Sequence, residues 1–91
     1  MTGAPKQSAM NIIDRLENGA RGTYSGVFGY FGHYGHTDVA MVIRSIVFEG
    51  DRLSIGAGGG ITIDSDPAAE LAETKLKARA LLAAIQVPDA W

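Results

Sequence analysis

Two glutamates one helical turn apart follow a run of glycines in the stretch GAGGGITIDSDPAAELAETK, residues 56–75. Because Glu70 and Glu73 are three positions apart, both carboxylates lie on one face of a helix. Carboxylate oxygens are ligands that Mg²⁺ accepts. The alternative is a solvated helix surface in which Glu73 pairs with Lys77, an arrangement that adds little stability. The spacing leaves a metal or substrate site and a plain charged surface both open.

The glycines offer a second kind of chemistry, since backbone N–H groups with no side chains in front of them bind anions. Neither nucleotide-binding glycine motif is present, because Gly60 runs into ITID rather than into Gly-Lys-Ser/Thr or a helix. We therefore weigh a carboxylate site at the N–H groups of Gly58, Gly59 and Gly60. The alternative is a β-bulge or a close approach of two backbones.

Arg44 is the cation that such a site needs. In a strand over residues 38–49, alternation places Arg44 on the same face as Ala40, Val42, Ile46 and Phe48. A guanidinium on an apolar face is costly unless it meets an anion. That anion is either one of the chain's own carboxylates or an anionic ligand, and the sequence leaves both open.

Aromatic and histidine side chains are weaker candidates. Tyr24, Phe28 and Tyr30 alternate along one strand, which is typical of core residues. His33 and His36 lie three positions apart in a glycine-rich turn, a spacing that fixes no metal geometry. We interpret the two histidines as part of a polar loop.

Three strands and two helices must position these groups. Residues 5–19 predict a helix that begins near a proline and ends at Asn-Gly. Strands are predicted over 23–31, 38–49 and 52–63, and a second helix begins at Ser65-Asp66-Pro67. The order α-β-β-β-α predicts an α+β fold in one domain, residues 1–91, with an antiparallel sheet packed by two helices. The last four residues, PDAW, are expected to form a loose tail.

The second helix divides into two faces at about 100° per residue. Its apolar stripe consists of Leu71, Ala78, Leu82 and Ile85. Its charged face consists of Glu70, Glu73 and Lys77. We expect the stripe to pack and the charged face to be presented to solvent or to a ligand.

The composition excludes several classes of function. A chain of 91 residues with 46% hydrophobic content forms one small domain, and its net charge of −2 provides no basic field for nucleic acid or an anionic membrane. The absence of cysteine excludes disulfides, thiolate zinc sites and a thiol nucleophile. No apolar run approaches the ~20 residues needed to span a bilayer. We therefore expect a cytoplasmic protein without membrane or nucleic-acid partners.

Four successive motifs carry a resemblance to a known family. GAPKQSAM, RGTYSGVFGYFG, MVIRS and IGAGGGITIDSDPAAELAETKLKARALL resemble, in order, the C-terminal motifs of the chorismate-utilising enzymes. This family includes anthranilate synthase component I, aminodeoxychorismate synthase component I and the isochorismate and salicylate synthases. GAPK with the following Ala-Met is similar to the first two branches. GGGI followed by Ser-Asp-Pro is more similar to the aminodeoxychorismate branch than to the anthranilate branch.

The resemblance implies roles for individual residues. It implies that Glu73, with Glu70 beside it, helps to bind a Mg²⁺ ion that holds the ring carboxylate of chorismate. It also implies that Tyr24 and Arg44 hold the enolpyruvyl carboxylate, together with the N–H groups of Gly58, Gly59 and Gly60. Lys77 would assist electrostatically.

The family resemblance further implies a larger enzyme. We expect the chain to be the C-terminal part of a chorismate-binding domain whose parent converts chorismate and ammonia to 4-amino-4-deoxychorismate for folate synthesis. A glutamine amidotransferase subunit would supply the ammonia. The nucleophilic or basic lysine and the other metal-binding glutamates are expected elsewhere in the parent, so the chain alone should be inactive. We also expect it to self-associate, because two helices cover only one side of a sheet whose strands are apolar on both faces. The alternatives are a segment of anthranilate synthase component I and a non-catalytic anion-binding module.

Overall fold

The computed structural model describes residues 1–87, and the PDAW segment predicted as a loose tail lies outside the described residues. Helix α1 spans Lys6–Leu16, strand β1 spans Val27–Phe31 and strand β2 spans Thr37–Met41. Strands β3 and β4 span Ile46–Glu49 and Arg52–Ile55, and helix α2 spans Pro67–Ala84. The predicted α+β class is confirmed.

Two small antiparallel sheets replace the predicted three-stranded sheet. Strand β1 pairs with β2, with Val27 opposite Met41 and Phe31 opposite Thr37. Strand β3 pairs with β4, with Ile46 opposite Ile55. No strand of residues 1–87 joins the two sheets, so the prediction of one sheet was wrong.

The predicted strand over residues 38–49 is interrupted by a bend at 42–45. Arg44 has a φ of 50°, in the left-handed region that a β-strand does not use. The Ile43 N–H donates to the Met41 carbonyl oxygen at 3.0 Å, and the Ser45 hydroxyl donates to the Ile43 carbonyl oxygen at 2.9 Å. These short-range bonds turn the chain. The prediction that Arg44 shares a strand face with Ala40 and Phe48 was therefore wrong.

The third predicted strand, 52–63, also ends early. Strand β4 stops at Ile55, and the glycine segment 56–60 has no regular secondary structure.

The tight turn between β3 and β4 contains Gly50, which has a φ of 62°. Glycine adopts this conformation without steric cost. The predicted turn at residues 49–51 is therefore confirmed.

The described residues have very little core. Of the side chains in residues 1–87, only Ala78 and Leu82 on α2 are buried. Neither helix packs extensively on a sheet, because the largest contacts between elements are those of the paired strands. The radius of gyration is 15.5 Å, whereas a compact domain of this length has about 12 Å. The prediction that two helices cover the sheet was therefore wrong.

No helix within residues 1–87 is both long enough and apolar enough to cross a membrane.

Candidate functional site

Helix α2 begins with a local cap. Asp66 is the N-cap residue, and its carboxylate accepts a hydrogen bond of 2.8 Å from the Ala69 N–H. Pro67 follows in the first turn, where its missing N–H costs nothing. The cap fixes where the helix starts, and Glu70 therefore lies in its first turn and Glu73 and Lys77 in the next two. The predicted start of this helix is confirmed.

The two predicted faces of α2 are only partly separate. Glu70 and Lys77 are half-buried, as are Thr74 and Leu81. Leu71, which the sequence assigned to the packed stripe, is 51% exposed. The packed side of α2 is therefore centred nearer to Glu70 and Lys77 than predicted, because it lies against the glycine segment rather than against a sheet.

Side chains lie directly against three glycines of the glycine segment. A Cβ at Gly56 would lie 2.3 Å from the Tyr24 ring, and one at Gly58 would lie 2.9 Å from the Tyr24 hydroxyl oxygen. A Cβ at Gly59 would lie 3.2 Å from the Glu70 carboxylate. The segment thus brings Tyr24 of the α1–β1 loop and Glu70 of α2 to one short piece of backbone.

Backbone donors remain free in this segment. Within residues 1–87, no N–H group of Gly58, Gly59 or Gly60 donates a hydrogen bond to another protein group. Gly59 and Gly60 are exposed and Gly58 is half-buried. These donors are available to an anion. At Gly56 the nearest group is the Tyr24 ring, a side chain and not the second backbone of the alternative prediction.

Lys77 ties α2 to the same segment. Its ammonium group donates to the Gly58 carbonyl oxygen at 3.3 Å and lies 2.6 Å from a Glu73 carboxylate oxygen. Because the C=O and N–H of a trans peptide point in opposite directions, the bond to Gly58 also constrains the direction of the Gly59 N–H. Lys77 lowers the pKa of Glu73 below its ordinary value of 4.5, chiefly through their hydrogen bond.

Arg44 projects from the bend between β2 and β3. Within residues 1–87 it forms no ion pair, so the alternative of a salt bridge with one of the chain's own carboxylates is not observed. Arg44 is exposed, and its guanidinium remains available to an anionic ligand.

Four of the predicted residues meet around one small cavity of about 120 Å³. The cavity wall consists of Met1, Tyr24, Ile43, Arg44, Gly56, Ala57, Gly58, Lys77 and Leu81. A phenol, a guanidinium, an ammonium and a backbone amide therefore converge from four separate segments of the chain. Such a set suits a carboxylate.

Glu70 and Glu73 offer oxygen ligands of the type that Mg²⁺ prefers, but only part of the six that it takes. Glu70 lies beside Gly59, and Glu73 is 57% exposed and engaged with Lys77. No group of three or more acidic or histidine side chains in the described residues is arranged to hold a metal. The two glutamates fit Mg²⁺ as partial ligands that require further oxygens.

His33 and His36 lie where the polar loop was predicted. His33 begins a 3₁₀ turn between β1 and β2, and the His36 Nε2 atom lies 3.1 Å from the Tyr30 hydroxyl oxygen. Both histidines are exposed.

Arg21 is the residue that sequence reasoning missed. Its guanidinium lies over the Tyr24 ring, 6.0 Å from the ring centroid, and donates to the Ser25 hydroxyl at 3.1 Å. The only available signal was its place in RGTYSG, directly before Tyr24.

Comparison with known proteins gives one family match. The family described as chorismate binding enzyme matches residues 1–83. An aminodeoxychorismate synthase of Streptomyces griseus is 55% identical over 82 residues, which are 90% of this chain and 11% of that protein. A probable chloroplastic aminodeoxychorismate synthase of Oryza sativa subsp. japonica is 50% identical over 80 residues, 88% of this chain and 9% of that protein.

A second group of relatives has a different name. Anthranilate synthase component 1 of Streptomyces coelicolor is 46% identical over 90 residues, which are 99% of this chain and 18% of that protein. The chain spans less than a fifth of the length of each of these three relatives.

Proposed function

Because this chain belongs to the family of chorismate-binding enzymes, we propose that it supplies part of the chorismate site of an aminodeoxychorismate synthase. The whole enzyme would convert chorismate and ammonia to 4-amino-4-deoxychorismate, the precursor of para-aminobenzoate. A glutamine amidotransferase subunit would supply the ammonia. The chain is 55% identical to the Streptomyces griseus aminodeoxychorismate synthase and 46% identical to the Streptomyces coelicolor anthranilate synthase component 1. The higher identity supports the aminodeoxychorismate branch of the family.

The convergence of Tyr24, Arg44, Gly58 and Lys77 around one cavity is the observation that carries the proposal. In this proposal the enolpyruvyl carboxylate of chorismate accepts hydrogen bonds from the Arg44 guanidinium, the Tyr24 hydroxyl and the free N–H groups of the glycine segment. Charge-assisted hydrogen bonds to a carboxylate are about twice as strong as neutral ones. Binding at this end orients the ring for reaction at its 4-position.

Glu70 and Glu73 would hold Mg²⁺ beside the glycine segment. When bound, the ion supplies positive charge that neutralises the ring carboxylate of chorismate. Lys77 lowers the pKa of Glu73 through their hydrogen bond, so it favours the charged form of this carboxylate. Lys77 also holds the glycine segment against α2 through the Gly58 carbonyl oxygen.

We expect the 91-residue chain alone to form no product from chorismate and ammonium. Among its described residues, the proposed site offers two carboxylates, an arginine and a hydrogen-bonded lysine, with no positioned nucleophile or further metal ligands. Incubation with chorismate, ammonium and Mg²⁺, followed by chromatographic product analysis, tests this. Steady formation of aminodeoxychorismate or anthranilate by the chain alone would contradict it.

A segment exchange tests the function itself. The matched segment of the Streptomyces griseus aminodeoxychorismate synthase is replaced by the corresponding residues of this chain. We expect kcat/KM for chorismate within about tenfold of the unmodified host. A matched control exchange that also carries Arg44→Ala should lose activity, because the proposed carboxylate cation is gone. A folded but inactive unsubstituted exchange would refute the proposed function.

The second candidate is anthranilate synthase component I, favoured by the match of 99% of this chain to the Streptomyces coelicolor relative. The same exchange into that host distinguishes the two candidates. Greater retention of activity in the anthranilate synthase host would favour the second candidate. Chorismate binding to the isolated chain, with neither host supporting activity, would instead favour the non-catalytic anion-binding module.

A further inference from the structure

Arg21 links several groups in the loop between α1 and β1. Its Nε atom donates to the Glu17 carboxylate at 2.8 Å, and its Nη1 atom donates to the Met1 carbonyl oxygen at 2.9 Å and the Ser25 hydroxyl at 3.1 Å. The same guanidinium lies 6.0 Å from the centroid of the Tyr24 ring. Its side chain is only 22% exposed. The Arg21 side chain therefore connects Glu17, at the end of α1, to Tyr24 and Ser25 in the turn of the loop.

The loop around Tyr24 needs such a connection because its backbone is unusual. Ser25 has a φ of 65°, a conformation that non-glycine residues keep only when their surroundings hold them in it. The Tyr24 N–H donates to the Arg21 carbonyl oxygen at 3.2 Å, and the Ser25 N–H donates to the Val42 carbonyl oxygen at 2.9 Å. Arg21 thus contacts this turn through both its backbone and its side chain.

Tyr24 stands between Arg21 and the proposed carboxylate cavity. Tyr24 and Gly56 line that cavity and also a neighbouring one of about 350 Å³. Arg21 lines the neighbouring cavity but not the carboxylate cavity. The guanidinium nitrogens of Arg21 are already engaged by Glu17, Met1 and Ser25. Arg21 is therefore not placed to bind the same carboxylate as Arg44.

We propose that Arg21 is a positioning residue that holds the Tyr24 hydroxyl at the carboxylate cavity, an inference that rests on the proposed chorismate site. The planar guanidinium suits this role, because its Nε and Nη2 atoms bind Glu17 and its Nη1 atom binds Ser25 while the group lies over the Tyr24 ring. Lysine has a single ammonium group and cannot make all of these contacts at once.

Kinetics in the segment exchange described above test this role. Arg21→Gln should raise KM for chorismate about tenfold, because a hydrogen bond from Tyr24 to a charged carboxylate is misplaced, and should change kcat less. The KM of Arg21→Lys should lie between that of the unsubstituted exchange and that of Arg21→Gln. The control is Arg15→Gln, since Arg15 is exposed and, among residues 1–87, donates only to the Asn11 carbonyl oxygen of its own helix. The KM of this control should equal that of the unsubstituted exchange.

A double-mutant cycle with Tyr24→Phe separates positioning from a general structural role. If Arg21 acts through the Tyr24 hydroxyl, Arg21→Gln should change KM less than about twofold once that hydroxyl is absent. Effects that simply multiply, or an unchanged KM in the single Arg21→Gln variant, would overturn the proposal.

A readout without chorismate keeps this inference separate from the proposed function. In the 91-residue chain, nuclear Overhauser contacts between the Tyr24 ring and the Gly56 α-protons report the position of the ring. We expect Arg21→Gln to weaken these contacts while Arg15→Gln preserves them. Full preservation in Arg21→Gln would overturn the inference. A third outcome combines weakened contacts in Arg21→Gln with an unsubstituted exchange that is folded but inactive. That outcome would refute only the chorismate function, and Arg21 would remain the residue that positions Tyr24.

Discussion

Glu73 has one observed partner, Lys77, and one proposed partner, Mg²⁺. In the structure it pairs with Lys77 at 2.6 Å on the exposed side of α2. In the proposed enzyme it also contributes to Mg²⁺ binding, so the metal and Lys77 would share or compete for its two oxygens. The i,i+4 ion pair alone would make Glu73 an ordinary surface charge, which means that substitution at this position distinguishes the two roles.

Glu73→Gln should lower kcat/KM of the segment exchange by at least ~100-fold and weaken its Mg²⁺ dependence. Glutamine keeps the size and helix propensity of glutamate but removes the charge that a hard cation requires. Steady-state kinetics over a Mg²⁺ titration measure both effects. Asp14→Asn, which removes a carboxylate from α1, is the control and should change neither. Near-normal activity of Glu73→Gln with an unchanged Mg²⁺ titration would show that Glu73 is a surface charge.

The pH dependence of Glu73 follows from its pair with Lys77. Because the folded-state pKa lies below the ordinary value of 4.5, the pair contributes stability above that pH and loses it as the pH falls through the lowered pKa. A carboxyl NMR titration of the 91-residue chain should therefore place the Glu73 pKa below 4.5. Lys77→Met should return it towards 4.5. A Glu73 pKa that is the same in both proteins would contradict the ion pair.

The β1–β2 hairpin depends on a glycine at which two strands come unusually close. A Cβ at Gly29 would lie 2.1 Å from the Asp38 carbonyl oxygen and 2.6 Å from the Val39 Cα atom. Both of these atoms belong to the backbone of the paired strand, so neither moves without disturbing the pairing. The hairpin therefore tolerates no side chain at this position.

Gly29→Ala should separate β1 from β2, with a cost of about 1–3 kcal/mol or more, as for other overpacked sites. Hydrogen–deuterium exchange of the segment exchange, read on peptides that cover residues 27–41, should show lost protection. Gly19→Ala is the matched control, because a Cβ there would meet no atom of the described residues within 4 Å. Equal protection in the two variants would mean that the strands do not pair as described.

The surface of the molecule is large and apolar for its length. Its accessible area is 7539 Å², whereas a compact monomer of this mass exposes roughly 5,100 Å². Phe28 and Phe31 of β1 are 78% and 82% exposed, and they lie on opposite faces of their strand. Apolar surface of this extent is typical of a piece that packs against further protein.

The isolated chain should therefore self-associate when nothing else covers this surface. Light scattering at ~100 μM, a concentration above the Kd of most apolar interfaces, should detect species larger than a monomer. The double variant Phe28→Glu, Phe31→Glu should shift the population towards monomer, because charge on both faces of β1 opposes burial. A strictly monomeric wild-type chain at that concentration would contradict this prediction.

Signals that act over a few residues were readable in the sequence. The Asp66–Pro67 start of α2, the turn at Gly50 and the single-turn spacing of Glu70 and Glu73 each depend on local backbone chemistry. The interruption at Arg44 was not readable, because MVIRS continues an apolar pattern that favours a strand. Its bend is held by hydrogen bonds that the hydrophobic pattern does not encode.

The sequence by itself determined the residue types of the candidate site, the α+β class and the family motifs that span most of the chain. Only the tertiary structure decided that Tyr24 lies on Gly56, that Lys77 holds the Gly58 carbonyl oxygen, and that Arg21 contacts Tyr24 and Ser25. The physical reason is the distance along the chain between the residues that interact. Capping and turn preferences arise between near neighbours, whereas contacts between separate segments depend on the path of the whole chain, which no local pattern specifies.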